Sequence, residues 1–522
     1  MSDLLSIFLP FLILVGTIII CIVLEAFDLD HRIFAPVTII GGLLSLCFII
    51  LGIDSDITYV FGNAADLFDL SRTTGLFVID NFSRFFAIIF LIVLLFVVTS
   101  SIEYISSERN IGIYYILLTF ATIGMMLVAA ANDLLVLFVA WELGSLPVYS
   151  LAAFQKTRPE TSESALKLFL IGAMSSAFIL FGISLVYGIT GTTSIEGVID
   201  SFADTSNYSP LHLLALMFLF VGFGYKMAAV PFHAWAVDVY QGTPTTITTF
   251  LAAGSKAMGF TAVFRIIIGG LIELDLLSEL DTILSFLFAV LAILTMTLGN
   301  IVALVQDNIK RMLAYSSIAH AGYVLIALTA IAYSPNSSFN ETSDFSIAQF
   351  SIAAAEMHIL THALMKIVAF TAVIVIAFSI QSEKIEDYTG LRKKHPWLTF
   401  GLTIALLSLL GVPPLAGFVS KVLLFFAAIY ADLIWLAFIG IINSAISIFY
   451  YIRVIKIMII DNPLEDNLET RVVPVDKIAP ISIPISYQVT IGLSVLLILI
   501  IGIFPAPFFD LALTAAQNLI GS

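Results

Sequence analysis

Residues 209–236 read SPLHLLALMFLFVGFGYKMAAVPFHAWA, a long apolar run that contains one lysine, Lys226, and an internal proline, Pro231. About 20 apolar residues in a helix cross the roughly 30 Å hydrocarbon core of a bilayer, so this run predicts a membrane span. A charged side chain at the bilayer centre costs about 2.5–3.5 kcal/mol on insertion scales. Proline inside a helix removes a backbone donor and breaks the helix. The run therefore predicts a broken membrane helix with a buried lysine beside the break.

Similar apolar runs recur along the whole 522-residue chain, of which 60% is hydrophobic and only 11% is charged. The same length rule predicts about fourteen spans, at residues 4–26, 33–53, 76–101, 112–130, 132–153, 164–190, 209–236, 243–270, 280–306, 310–333, 347–380, 398–429, 433–458 and 483–505. The longest gap, 459–482, is polar and contains prolines, and it reads as a loop. The expected fold class is an all-α polytopic membrane protein.

The charges of the predicted loops alternate along the chain. One set of loops is basic, as at Arg109 and Lys310, and the intervening set is acidic, as at Asp54 and Glu196. With fourteen spans every basic loop falls on one side, which the positive-inside rule assigns to the cytoplasm. Both termini are then predicted outside the cell membrane. The net charge of −15 also argues against nucleic-acid partners.

Five ionisable residues lie deep inside separate predicted spans: Glu142, Lys226, Lys256, Lys366 and Lys421. Burial disfavours the charged form of an amine, whereas a nearby carboxylate favours it, so a lysine between these influences can bind and release a proton. A structural ion pair is the alternative role for Glu142. The set indicates a charge path through the membrane.

His358, His362 and Lys366 recur at a spacing of four residues, which places them on one face of a helix. Ser316 and His320 share a face of the preceding span in the same way. Lysine is a poor metal ligand, and no carboxylate–histidine cluster has metal-ligand spacing, so a metal site is disfavoured. The pattern favours a hydrated chain of proton-binding groups, with His233 as a further supporting residue.

Two stretches of five spans are similar to each other. Glu142–Ser150 can be laid over Ser316–Val324, and each stretch has one span interrupted by proline, at Pro231 and at Pro413–Pro414. Because five spans is an odd number, the second copy must be inverted. The expected division is listed as an N-terminal segment 1–111, a first repeat 112–270, a second repeat 280–458 and a C-terminal segment 459–522.

The chain has two cysteines, Cys21 and Cys47, and neither lies in a C-x-x-C pair. Iron–sulfur clusters and c-type haem need more thiol ligands than that, so any redox chemistry is expected in another chain. Lys167 and Arg265 lie close to span ends, where a long side chain can extend to the membrane surface. They are expected to lie outside the charge path.

Four motifs carry a resemblance to a known family. Residues 231–245 (PFHAWAVDVYQGTPT), 250–256 (FLAAGSK), 163–170 (ESALKLFL) and 443–453 (NSAISIFYYIR) resemble the antiporter-like subunits of respiratory complex I. They are most similar to the N subunit of NADH–quinone oxidoreductase and of archaeal F(420)H(2) dehydrogenase. The resemblance covers about spans three to thirteen.

This resemblance implies proton translocation, driven by redox chemistry elsewhere in a complex I-like assembly, with flavin and iron–sulfur clusters in partner subunits. By motif, Glu142 is similar to the carboxylate partner on helix five. Lys226 resembles the proton-holding lysine on broken helix seven, and Lys256 resembles the central connecting lysine. Lys421 resembles the lysine at the outward exit on broken helix twelve.

Residues 361–366 (THALMK) are more similar to the L and M subunits, and to the large subunits of multisubunit sodium/proton antiporters. A cation/proton antiporter subunit without redox coupling is therefore the alternative function. A scaffold whose charges form structural pairs is a second alternative. In the expected order of steps, Glu142 triggers proton loss from Lys226 to Lys256, and the proton reaches Lys421 through the histidines and Lys366.

Overall fold

The computed structural model describes residues 2–53, 59–61, 75–156, 158–203, 209–268, 278–333, 345–461 and 483–520. These residues form nineteen helices, α1 (Ser2–Ala26), α2 (Phe34–Leu51), α3 (Asn81–Tyr104), α4 (Ile111–Ala130), α5 (Leu134–Ala152), α6 (Pro159–Thr190), α7 (Ile195–Ala203), α8 (Pro210–Met227), α9 (Ala234–Gly242), α10 (Thr245–Phe250, Leu251–Ser255, Lys256–Val263 and Phe264–Ile268), α11 (Ser278–Leu304), α12 (Ile309–Tyr333), α13 (Ile347–Ile380), α14 (Leu391–Lys394), α15 (Pro396–Leu410), α16 (Ala416–Tyr430), α17 (Ile434–Ile459), α18 (Ile485–Ile503) and α19 (Ala506–Ile520). Most of the predicted loop 459–482 lies outside the described residues.

Thirteen helices in the described ranges are long and apolar enough to cross a membrane. The predicted span 398–429 is instead built from two shorter apolar helices, α15 and α16, placed end to end in sequence. Counted as one broken span, this pair brings the total to the fourteen predicted. The chain is a multi-pass membrane protein, and its fold is nearly all-helical.

Several short elements were not predicted. Strands β1 (Tyr59–Phe61) and β2 (Phe77–Ile79) form a small antiparallel hairpin, so the chain is not purely helical. Helices α7 and α14 lie in predicted loops, and α19 follows α18 directly after Pro505. A search for 20-residue apolar runs passes over short segments of this kind.

Local capping fixes the starts of two helices that carry site residues. Asp80 accepts from the backbone N–H of Ser83 at 2.7 Å, and the Ser83 hydroxyl bonds the Asp80 backbone, a capping box at the start of α3. Ser346 and Gln349 form the same arrangement before α13. Each cap satisfies backbone donors that the helix itself leaves unpaired, and contributes about 1 kcal/mol.

The first helix break separates α8 from α9. Ala228 adopts a left-handed conformation (φ 57°), and the N–H of Ala229 bonds the carbonyl of Gly224 at 3.1 Å, as in a Schellman motif. Pro231 follows and has no N–H to continue the helix. The free N–H of Val230 donates to the hydroxyl of Thr295 at 3.0 Å on α11. The backbone at the break is therefore satisfied by protein, as membrane depth requires.

The predicted end of this span at residue 236 is wrong, because α9 continues to Gly242. Pro244 lies just beyond, and the residue before a proline is disfavoured in helical conformation. The polar residues Asp238 and Gln241 near the end of α9 interrupt the apolar run, and they contact basic residues of neighbouring helices.

The second break repeats the first. Gly411 has φ 94°, a conformation that side-chain-bearing residues rarely adopt, and the N–H of Val412 bonds the Leu407 carbonyl at 3.0 Å. Pro413 and Pro414 then end the helical path, and α16 starts at Ala416. Both spans are thus interrupted where the prolines predict, and in both the first half-helix ends in the same hydrogen-bonded motif.

Candidate functional site

Helix α12 packs against α13 and accepts a hydrogen bond from one lysine of α10 and from one lysine of α13. Lys256 Nζ on α10 donates to the Ser317 carbonyl at 2.7 Å. Lys366 Nζ on α13 donates to the Leu313 carbonyl at 2.8 Å, one helical turn away on α12. All four residues are in the buried interior of the bundle. Two predicted path residues therefore share one face of a third helix.

The backbone of α10 is irregular just before Lys256. Leu251–Ser255 forms a π-helical turn, a feature that is rare in helices and frequent at functional sites. Next to Lys256 is a cavity of about 10 Å³, room for roughly one water molecule. His320, His358 and His362 line its other side. The cavity connects the amine of Lys256 with the predicted histidine cluster.

The histidines form a hydrogen-bonded relay toward α16. His320 Nδ1 lies 3.0 Å from His358 Nε2, and His358 Nδ1 lies 3.0 Å from the Ser420 hydroxyl. His362 Nε2 lies 3.4 Å from the Ser317 hydroxyl. A neutral imidazole donates from one nitrogen and accepts at the other, so a ring bonded at both nitrogens can pass a proton through. His358 is bonded in this way at both ring nitrogens, to His320 and to Ser420.

The relay ends beside Lys421, the residue after Ser420. Lys421 Nζ donates to the carbonyls of Leu409 and Leu410, at 2.9 and 3.0 Å, and to the Ser444 hydroxyl at 3.0 Å. Those carbonyls are the last of half-helix α15, where the helix dipole is negative and favours a cation. The Tyr323 ring lies 4.9 Å from the amine. The second helix break therefore creates the acceptor site for this lysine.

A second set of hydrogen bonds starts at Lys366. Its Nζ also donates to the Ser316 hydroxyl at 2.8 Å, which lies 2.5 Å from the Tyr451 hydroxyl. The rings of Tyr451 and Tyr450 are in contact, and Tyr450 donates to Asn300 at 3.0 Å. Asn300 in turn donates to the Tyr323 hydroxyl at 3.3 Å. Polar groups of α11 and α17 thus connect the neighbourhood of Lys366 with that of Lys421.

Lys226 lies in the last turn of half-helix α8. Its Nζ donates to the Ser145 hydroxyl at 2.7 Å and lies 5.5 and 5.7 Å from the rings of Trp141 and Tyr149. Glu142 is one turn before Ser145 on α5, and its carboxylate accepts from the Ser176 hydroxyl on α6. Within the described ranges no ion pair joins Glu142 to Lys226. Each instead bonds a serine.

Lys226 and Lys256 are on helices that touch. A Cβ at Gly259, one turn after Lys256, would lie only 3.1 Å from the Lys226 Cβ, so α10 approaches α8 closely at this level. No hydrogen bond of the described residues joins the two amines. Transfer between them would require a rearrangement or a water molecule.

His233 is placed apart from the relay. It lies at the start of α9, next to the break, and its Nδ1 is buried without a hydrogen-bond partner among the described residues. The structure brings the other predicted histidines together, and His233 is not among them. His233 is close to Lys226 in sequence, but no hydrogen bond among the described residues joins the two side chains.

The expectation that Arg265 extends to the membrane surface is wrong. Its side chain is 6% exposed and forms a bidentate ion pair with Asp80, at 2.7 and 2.9 Å. It also donates to the Ala129 carbonyl and lies over the Phe82 ring. The partner is 185 residues away in sequence, which explains why the pair could not be seen in a single span.

A polar cavity of about 330 Å³ opens beside α9. Lys167, 40% exposed, bonds Asp238 at 2.9 Å there and also pairs with Glu163. Arg311 bonds the other oxygen of Asp238 at 3.0 Å. This network lies at the end of the bundle where the loops are basic, and water can reach it.

Sequence reasoning missed several residues that connect the predicted ones. They are uncharged groups on helices far apart in sequence, namely Ser145, Ser176, Ser317, Ser420, Tyr451 and Asn300. One signal in the sequence is a polar residue three positions from a charged one, as with Ser145 after Glu142. Glu356, buried in α13, was also missed. Among the described residues no group of three or more His, Cys, Asp or Glu side chains could hold a metal ion.

We expect Arg265→Met to destabilise the protein strongly, because it leaves Asp80 buried without its cation. Removing one partner of a buried pair costs about 3–5 kcal/mol. Thermal unfolding of the detergent-solubilised protein measures the effect. Lys167→Met is the matched control, since it removes a cation from a partly exposed pair and is expected to leave the unfolding temperature nearly unchanged. Equal effects of the two substitutions would contradict the structural role of the Asp80–Arg265 pair.

Comparison with known proteins identifies the family of this chain. Residues 131–447 match the family described as NADH:quinone oxidoreductase/Mrp antiporter, TM. The chain is 41% identical over 451 residues to F(420)H(2) dehydrogenase subunit N of Methanosarcina mazei, covering 85% of each chain. It is 38% identical to NADH-quinone oxidoreductase subunit N of Desulfitobacterium hafniense, covering 88% of each.

Solved structures share the fold over almost the full length. A chain of respiratory complex I from Thermus thermophilus superposes with a TM-score of 0.73 at 30% identity, covering 96% of this chain and 98% of that one. A chain of the Mrp complex from Dietzia sp. has a TM-score of 0.82 at 18% identity, covering 99% and 98%, which shows the fold alone. The buried lysines and broken helices described above thus belong to a protein of the NADH:quinone oxidoreductase/Mrp antiporter transmembrane family.

Proposed function

We propose that this chain is a proton-translocating membrane subunit of a complex I-like respiratory oxidoreductase. The observation that carries the proposal is the buried row of groups from the cavity beside Lys256 through His320 and His358 to Ser420, the residue before Lys421. Ionisable groups inside a membrane bundle mark ion paths more often than structural pairs. Here the lysines bond neutral oxygens, and each can therefore gain or lose a proton without leaving a partner charge unpaired.

Protons are taken up at the predicted cytoplasmic end, where the cavity beside α9 admits water. Lys226 holds a proton in the last turn of α8, next to the first break. Lys256 receives it, and the histidines of α12 and α13 carry it onward. Lys421 releases it on the outer side. Lys366 serves this relay through Ser316 and Tyr451, and His233 is a supporting group at the first break.

Glu142 controls the proton on Lys226. Glu142 on α5 accepts a hydrogen bond from Ser176 of α6. Lys226 of α8 donates to Ser145, which lies one turn after Glu142 on α5. A shift of α5 against α6 that breaks the Ser176 bond would free the carboxylate to approach the amine. A carboxylate nearby favours the charged lysine, and its withdrawal favours proton release. Redox-driven changes in a neighbouring subunit would act through this shift.

The redox centres belong to partner subunits, in which we expect flavin and iron–sulfur clusters. Cys21 and Cys47 are the only cysteines, too few for the four thiolates of a typical cluster. The relatives named above are subunits of NADH-quinone oxidoreductase and of F(420)H(2) dehydrogenase. By the same likeness, this chain would work with NADH- or F(420)H(2)-dependent partners and a quinone or phenazine acceptor.

The architecture fits two inverted five-helix repeats, 112–270 and 280–458, each with one broken helix. The shared Schellman ending of α8 and α15 supports this division. The N-terminal segment 1–111 and the C-terminal segment 459–522 would then flank the repeats. Both termini lie on the outer side of the cell membrane in this arrangement, since the basic loops face the cytoplasm.

A multisubunit cation/proton antiporter without redox coupling is the second candidate function. The residues that favour it are 361–366 (THALMK), which place Lys366 one turn after His362 as in antiporter large subunits. In the structure Lys366 bonds the Leu313 carbonyl and the Ser316 hydroxyl of α12. The two candidates use the same relay and differ in what drives it.

We expect Lys226→Ala and Lys421→Ala to lower coupled turnover while the complex still assembles. Positioned acid–base groups accelerate the proton transfers they serve by about 10²–10⁴-fold. We therefore expect proton pumping per electron to fall by at least about tenfold. Redox-driven acidification or alkalinisation of proteoliposomes, divided by electron flux, measures it. Lys456→Ala is the control, because Lys456 is 59% exposed at the end of α17. Unchanged pumping per electron in both variants would refute the relay, and loss of assembly instead of turnover would favour the scaffold.

The partners are tested by gentle solubilisation of the membranes, capture of this chain and mass spectrometry of the proteins that accompany it. We expect chains that resemble iron–sulfur, flavin and quinone-site subunits, because a proton relay without a redox centre needs an electron-transfer partner. Recovery of antiporter-like chains with no redox protein would select the antiporter instead.

A further inference from the structure

Glu356 is a fully buried acidic residue inside the bundle. It lies within α13, its side chain is 0% exposed, and neither carboxylate oxygen has a hydrogen-bond partner among the described residues. Buried polar groups are nearly always satisfied, and an unsatisfied one in a folded protein calls for an explanation. An ionised carboxylate in apolar surroundings is far more costly than a neutral carboxylic acid.

The position of Glu356 connects it with the relay. Ile359, three residues later and thus on the same side of α13, lines the cavity between Lys256 and the histidines. His358, two residues later, points to a different side of the helix and bonds His320. Glu356 therefore lies about one helical turn from the cavity, on the side that the histidine relay does not use.

Helix α13 packs against α3, which begins after Asp80, and against α10, which carries Arg265. The charges of Asp80 and Arg265 act electrostatically on Glu356. Asp80 starts α3, Arg265 lies near the end of α10, and Ala129, whose carbonyl Arg265 also bonds, lies at the end of α4. All three helix ends are on the side of the bundle that the loop charges predict to face outward.

The ion pair is satisfied without Glu356. Asp80 accepts two bonds from Arg265 and one from the Ser83 backbone, and Arg265 also donates to Ala129. Glu356 is therefore not needed to neutralise either partner. A purely structural role would be served better by a leucine or methionine, because an apolar side chain of this size has no polar atoms to bury.

We propose that Glu356 is a proton-binding residue on a second outward branch, which leads from the Lys256 cavity past Glu356 to the Asp80–Arg265 pair. The proposal rests on the proposed function, since it gives the same relay another outlet. Lys256 in its ammonium form gives a proton, by way of the cavity and across the turn of α13 that separates Ile359 from Glu356, to the Glu356 carboxylate. This leaves a neutral amine and a carboxylic acid. The acid then releases that proton toward the outer side and returns to the carboxylate, while Asp80 and Arg265 keep their bonds.

The test compares three variants in the intact, reconstituted complex. Glu356→Gln keeps the shape of the neutral acid but cannot release a proton, whereas Glu356→Asp keeps a carboxyl group. Ser351→Ala is the matched control, because Ser351 is also buried in α13 with an unpartnered hydroxyl. We expect Glu356→Gln to lower the number of protons pumped per electron, and we expect Glu356→Asp and Ser351→Ala to retain it.

A second readout does not depend on pumping. Redox-driven infrared difference spectra report protonation of carboxylic acids through their C=O stretching band. We expect a band in the native complex that is lost in Glu356→Gln and shifted in Glu356→Asp. The readout stays decisive if Glu356→Gln assembles poorly, since native and Glu356→Asp spectra suffice.

Lys421→Ala measured in the same preparation separates the two ideas. Normal pumping and an unchanged infrared band in Glu356→Gln, together with impaired pumping in Lys421→Ala, would overturn the second branch and leave the proposed function intact. Normal pumping in both variants would overturn the proposed function as well.

Discussion

An amine inside a membrane-spanning bundle has to find oxygen acceptors, because hydrocarbon offers none and water is scarce. Among the described residues, Lys226, Lys256, Lys366 and Lys421 meet that requirement with hydroxyls and carbonyls of neighbouring helices. Carbonyls at a helix end are free of intrahelical partners. The break between α15 and α16 thus supplies acceptors at membrane depth for Lys421. Lys256 and Lys366 instead bond carbonyls inside α12, which can accept a second hydrogen bond through the other lone pair of the oxygen.

The choice of neutral acceptors decides what the bundle can do. A lysine locked in an ion pair with a carboxylate would lose several kcal/mol if either charge were removed. A lysine bonded to a serine hydroxyl or a backbone carbonyl keeps a partner in both protonation states, since a hydroxyl can donate as well as accept. The imidazoles between Lys256 and Lys421 have the same double capacity. The Asp80–Arg265 pair marks the contrast, because it has the ionic, saturated geometry of a structural element.

Much of the fold was predictable from apolar run lengths, and the helix breaks from Pro231, Pro413 and Pro414. Each is a property of a single stretch of chain. The lysines and histidines of the site were found because a charge in an apolar run stands out. What the sequence could not show is which helices are neighbours. Hence Arg265 was misjudged and Glu356 overlooked, and the bond of Lys226 to Ser145, 81 residues away, was unforeseen. The predicted span 209–236 ended inside α9, because Asp238 and Gln241 interrupt the apolar run there.

The most direct test of the account is the proton-to-electron ratio of a complex that carries His358→Leu. His358 bonds His320 through one ring nitrogen and Ser420 through the other, so no substitution interrupts the relay more locally. If protons pass through His358, electron transfer continues in the assembled complex and fewer protons are pumped per electron. A ratio equal to that of the native complex would show that protons do not pass between Lys256 and Lys421 by this route.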